Sequence, residues 1–161
     1  MSKKRNRQLK LVTLSLILFL ILMGIILFQS SSPMRKAKNQ AIKISEEVAN
    51  ISKVENFYWF TRDRTYFTVV GTDDKNESKV VLLPQDGSEA LVMNQKDGLT
   101  GDDAIQVVLD TKETKKIKKI SLGMYDKKPV WEVVATAKDN SLSYYLIDFK
   151  EGKITNKMTD L

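Results

Sequence analysis

Neither cysteine nor histidine occurs anywhere in the 161 residues. Without imidazole there is no Ser-His-Asp arrangement, no histidine general base and no H-E-x-x-H zinc site. Without a thiol there is no cysteine nucleophile, no thiolate metal site and no acceptor for lipoprotein processing. Glycine is scarce as well, at seven residues, and none of them builds a G-x-S-x-G elbow or a phosphate-cradling loop. No catalytic residue, metal ligand or cofactor site is nominated, and no small-molecule substrate is expected. Any enzyme here would have to work with carboxylates alone. Asp73-Asp74 falls in an expected hairpin turn and Asp102-Asp103 in an expected first helical turn. Turn preference and compensation of the helix macrodipole account for both pairs more simply than an acid–base or metal site does. Asp148 lies inside a strand pattern, where an edge or solvent-facing position spares it the cost of burial without a partner.

Acidic residues are missing from the N-terminus, where Lys3, Lys4, Arg5, Arg7 and Lys10 stand unopposed. The formal net charge of +6 is concentrated there: the rest of the chain carries 21 Lys/Arg against 20 Asp/Glu, or +1. This distribution is a topology signal and speaks against a nucleic-acid partner. Charged residues are then absent altogether from Leu11 to Phe28, LVTLSLILFLILMGIILF. A helix of that length rises about 27 Å, close to the roughly 30 Å hydrocarbon core of a bilayer. The expectation is a cytoplasmic basic tail at 1–10 and a single transmembrane helix at 11–28, with everything beyond it extracellular. A cleaved signal peptide has the same basic start, but its apolar region is usually only about 7–15 residues long and ends at a small-residue site. An exported domain with no disulfide must be held by its core alone, which suits a Gram-positive bacterial surface.

Beyond the apolar run, Ser32-Pro33 reads as a helix start. Ala37, Ala41, Ile44, Val48 and Ile51 recur at helical spacing and predict one apolar face, for packing on a sheet or in a short coiled coil. From Val54 the texture turns β-branched and aromatic. Strands are predicted at about 54–61, 65–72, 78–84 and 89–94, joined by connections short enough for an antiparallel meander. Thr100 looks like the N-cap of a second helix running to about Thr111, followed by strands at about 117–125, 129–137, 142–149 and 153–158. Ile120, Leu122 and Met124 alternate with Lys119, Ser121 and Gly123, and Trp131, Val133 and Ala135 with Glu132, Val134 and Thr136. That pattern predicts sheets with one buried and one wet face.

Helix plus meander thus occurs twice, and the residues repeat with it. At an offset of 64, Val69-Val70, Thr72, Asn76 and Leu82 return as Val133-Val134, Thr136, Asn140 and Leu146. The predicted units are 29–98 and 99–161, an α+β arrangement with one helix on each meander. Within it, Phe57-Tyr58-Trp59-Phe60 places two aromatics on each face of one strand. If the sheet is covered on one side only, one pair is left for a partner, so Tyr58, Trp59 and Phe60 are candidate protein-interface residues. The alternative is a core that also packs between the units. Tyr144 and Tyr145 raise the same question.

The order of features resembles the TseB (YpmB-like) family of cell-wall elongation regulators. The residues that carry the likeness are the basic tail and apolar run, Ala41-Ile42, Tyr66–Thr72 (YFTVVGT) and Lys79–Pro84 (KVVLLP). In the second half they are Gly98-Leu99-Thr100 into Ala104-Ile105, Pro129-Val130-Trp131-Glu132-Val133, Ser143–Phe149 (SYYLIDF) and Gly152-Lys153-Ile154. The resemblance implies a transmembrane helix followed by two tandem cystatin-like units, the second of PepSY type. It further implies a non-catalytic role: binding a penicillin-binding transpeptidase, or another cell-wall synthesis protein, and modulating elongation. The alternative it leaves open is a PepSY-type inhibitor or sensor of a cell-surface peptidase. No functional residue set comes with it.

Overall fold

The computed structural model describes residues 15–21, 23 and 32–160. By its contacts the chain divides into residues 1–37 and residues 38–161. In the first part, residues 15–21 and 23 are helical, and their Leu, Ile, Phe and Met side chains are exposed. Among the described residues no helix is long and apolar enough to cross a membrane. The segment expected to do so, 11–28, lies largely outside the described residues.

The order of elements is α1 (Ser32–Ala49), β1 (Ile51–Thr61), β2 (Thr65–Asp73), β3 (Ser78–Pro84), β4 (Leu91–Asn94), α2 (Gly101–Asp110), β5 (Thr114–Tyr125), β6 (Lys128–Ala137), β7 (Leu142–Asp148) and β8 (Ile154–Asp160). A 3₁₀ turn at Gln95–Asp97 precedes α2. The fold is α+β, with two four-stranded antiparallel meanders ordered β1-β2-β3-β4 and β5-β6-β7-β8. Both start about three residues earlier than the sequence pattern suggests. Asn50 takes φ 52, the left-handed conformation that ends α1, so Ile51 begins β1 instead of closing the helical stripe.

The 64-residue offset also runs through the element bounds. Shifted by 64, β3 falls on β7, and β2 on β6 to within a residue. The hairpin turns repeat as well. Asn76 donates to the Asp73 carbonyl and Asn140 to the Ala137 carbonyl, each at 3.0 Å. Both asparagines are left-handed, at φ 64 and 71, as a three-residue hairpin loop requires and asparagine tolerates. Asp73 belongs to this turn chemistry: its carboxylate accepts from the Lys75 and Glu77 amides at 2.9 and 2.8 Å. Those amides, Glu77's foremost, hold it below the usual carboxylate range. Asp148 likewise accepts from the Lys150 and Glu151 amides in the β7–β8 turn.

The helix face of α1 differs from the expected stripe. Ala41 and Ser45 are buried, while Val48 is exposed. Small residues let the helix sit close on the sheet, and Ser45 satisfies its hydroxyl on the Ala41 carbonyl at 2.8 Å. Ala41 packs with Ile51, Val69, Val81 and Leu83. The opposite face of the same sheet, through Val70, Val80 and Leu82, joins a second core with Ala104 and Val108 of α2 and with Leu122, Trp131, Val133, Tyr145 and Ile147. A third cluster unites Phe60 and Tyr66 with Val130 and Leu146. The first sheet is therefore a middle layer, covered on both sides. This corrects the expectation of one wet face per sheet and explains why Val80-Val81-Leu82-Leu83 is buried without alternation. Where the layers meet, the Thr68 hydroxyl donates to the Leu122 carbonyl of edge strand β5 at 2.6 Å.

Helix α2 begins in a reciprocal capping box. Thr100 Oγ1 accepts from the Asp103 amide, and the Asp103 carboxylate accepts from the Thr100 amide at 2.9 Å and from its hydroxyl at 2.6 Å. These two bonds, the hydroxyl's first, hold the Asp103 carboxyl below its ordinary range. Thr100→Ala is expected to lower stability by about 0.5–2 kcal/mol in thermal unfolding, and an unchanged midpoint would deny the cap a role.

Candidate functional site

Tyr58 lies on the face of β1 that looks toward α2. Its ring meets Trp131 edge-on, with centroids 5.2 Å apart and planes at 87°. Trp131 is buried and donates its Nε1 to the Leu99 carbonyl at 2.9 Å. Gln95 Nε2 donates to the same carbonyl at 3.0 Å, so one acceptor fixes both side chains. Gly101 opens the helix directly beside Tyr58, and a Cβ there would stand 3.1 Å from the tyrosine hydroxyl.

These residues wall a cavity of about 510 Å³, within the range of ligand sites, roughly 300–1,000 Å³. Val70, Ile105, Ile120 and Trp131 supply its apolar lining, and Glu55, Asn56, Ser78, Gln95, Thr100 and Asp102 its polar lining. Burial, and secondarily the Asp102 carboxylate, push the Tyr58 phenol up. It is therefore a neutral hydroxyl at physiological pH. Glu55 accepts from the Thr72 hydroxyl at 2.8 Å. Among the described residues no group of three or more carboxylates could hold a metal ion.

The five residues singled out from sequence do not form one surface. Tyr58 is half-buried in the cavity wall. Trp59, also half-buried, points to the other face of β1, lies edge-on to Phe67 at 5.1 Å and donates to Thr61 Oγ1 at 3.0 Å. Phe60 and Tyr145 are core residues, at 0% and 1% exposure, and neither is available to an outside partner. Phe60 is buried by the second cover on the first sheet, which the alternation pattern does not reveal, and Tyr145 lies on the face of the second sheet that α2 covers. Tyr144 is half-buried, on the face opposite Tyr145.

Sequence reasoning missed Trp131, Gly101, Asp102 and Glu55 as neighbours of Tyr58. Asp102 carried a usable signal. A capping box employs the third helical residue, here Asp103, which leaves Asp102 without that role.

Two families match the chain. Residues 40–84 match the cell wall elongation regulator TseB-like domain, and residues 98–158 the peptidase propeptide and YPEB (PepSY) domain. A probable cell wall elongation regulator TseB from Bacillus subtilis is 28% identical over 118 residues, 73% of this chain and 71% of that protein. The solved structure of the YpmB protein from Bacillus subtilis superposes with a TM-score of 0.67 at 26% identity, covering 76% of this chain and 96% of that one.

Proposed function

Because the chain belongs to the TseB/YpmB family, a family named for regulating cell-wall elongation, we propose that it is a membrane-anchored, non-catalytic regulator. The apolar run 11–28 holds it in the membrane with its N-terminus cytoplasmic, and the rest of the chain, outside the cell, binds a penicillin-binding transpeptidase. One observation carries this reading most: the two matched segments build the Tyr58–Trp131 cavity together, one contributing Tyr58 and Val70, the other Gly101, Asp102 and Trp131. A concave site made jointly by a regulator-type segment and a PepSY segment fits a recognition module.

Crosslinking in intact cells, followed by purification of the full-length chain, should recover a transpeptidase identified by mass. Tyr58→Ala should reduce that recovery while the chain stays folded. Recovering no transpeptidase under conditions that capture established complexes of the same membrane would defeat the proposal. The peptidase-propeptide match favours a second reading, restraint of a cell-surface peptidase. It requires the full chain in detergent to slow such a peptidase, and an unaltered rate would retire it.

A further inference from the structure

We propose that the Tyr58–Trp131 cavity binds a primary alkylammonium group, the chemistry of a lysine side chain. The inference deepens the reading of this cavity as a recognition site and rests on it for the biological source of the amine. Glu55 and Asp102 both line the cavity, and no lysine or arginine does. Among the described residues the Asp102 carboxylate has no hydrogen-bond or ion-pair partner, and Glu55 has only the Thr72 hydroxyl. Two carboxylates without a counter-charge in a concave, half-apolar site concentrate negative potential on whatever enters it.

The rest of the lining suits an ammonium on an aliphatic stem. Ile105, Ile120 and Val70 offer methyl and methylene surface for the stem. Tyr58, kept neutral by burial, presents an aromatic ring and a hydroxyl beside Gly101. Gln95 uses its Nε2 on the Leu99 carbonyl, which leaves its Oε1 as an acceptor in the lining. Glu55, Asp102, Gln95 and Ser78 bring acceptor oxygens to the lining, the complement that the three donors of an ammonium require. The opening is pre-formed, because Trp131 and Gln95 are both tied to Leu99.

The test uses the full-length, ¹⁵N-labelled chain in detergent micelles. Pentylammonium chloride is titrated while the Trp131 indole N–H and the Gly101 amide are followed by NMR. Saturable shifts at both are expected, with affinity falling about tenfold in Asp102→Asn while its unfolding midpoint is unchanged. Glu55→Gln, with its fold checked the same way, should weaken binding in the same direction. 1-Pentanol, the neutral counterpart, should produce no saturable shift. Nα-acetyl-lysine N-methylamide should bind and its Nε-acetylated form should not. If this amide binds more tightly than pentylammonium, a lysine within a polypeptide is the source; equal affinity makes a free amine an equal source. No saturable shift with either amine, equal shifts with pentanol, or unchanged affinity in both variants would overturn the proposal. Binding of the amine without capture of a transpeptidase in cells would leave this site standing and remove only the partner.

Discussion

Arg62→Ala is expected to lower stability by about 3–5 kcal/mol, several times what an exposed ion pair is worth. Arg62 sits in the β1–β2 turn and donates its Nε to Glu132 Oε2 on β6 at 2.7 Å. The two side chains are only 15% and 8% exposed. Ser121 reaches the other carboxylate oxygen at 3.3 Å, and the guanidinium lies 5.7 Å from the centre of the Tyr125 ring. Removing the arginine leaves Glu132 buried between the two sheets with one hydroxyl as its remaining partner. That uncompensated charge, more than the lost bond, sets the size of the effect. The double replacement Arg62→Met with Glu132→Leu should recover most of the loss, because an apolar pair of similar size has no charge to desolvate. Denaturant unfolding of the native chain, the single variant and the double variant measures both numbers. A loss below about 1 kcal/mol for the single variant would place this pair among ordinary surface contacts.

Glu132 also shows where the sequence stops being legible. Beside Trp131 and Val133 it reads as the wet half of an alternating strand, yet it is 6% exposed. Periodicity reports which side of a strand an element's own helix covers. It cannot report a second cover supplied by residues 70 positions away, such as Arg62. Local chemistry was readable for the same reason. The Thr100 cap, the asparagine turns and the short hairpins depend on neighbours within about five residues, and they stand where the sequence puts them. The repeat was readable because each meander must satisfy the same turn and strand constraints. The cavity was half-readable. Tyr58 stood out as an aromatic in excess of what one covered face could bury, while Glu55 joins it in the wall at the β1 bulge between Val54 and Asn56, and Asp102 became its neighbour only when α2 folded against β1.

The aromatic run separates into a core residue and a peripheral one, and two substitutions measure the difference. Phe60→Ala should cost about 3–5 kcal/mol, the range for a large buried aromatic. Its ring is fully buried, edge-on to Tyr66 at 6.4 Å, and packed with Val130 and Leu146 of the opposite sheet. Trp59→Ala, one residue earlier, should cost only about 1–2 kcal/mol, for one edge-on aromatic contact and one exposed hydrogen bond. Glycine at position 123 makes the Phe60 packing close: a Cβ there would lie 2.3 Å from ring atoms of Phe60. Gly123→Ala is therefore destabilising in the native chain, because the ring must shift off a backbone it rests on. With Phe60 already replaced by Ala, the methyl group enters the vacated space, and the cost of Gly123→Ala should fall by about 0.5–3 kcal/mol. Denaturant midpoints of the native chain, both single variants and the double variant give that coupling directly. Additive losses would mean that Phe60 does not rest on Gly123, and equal costs for Phe60→Ala and Trp59→Ala would mean that the two sheets do not close over β1 as described.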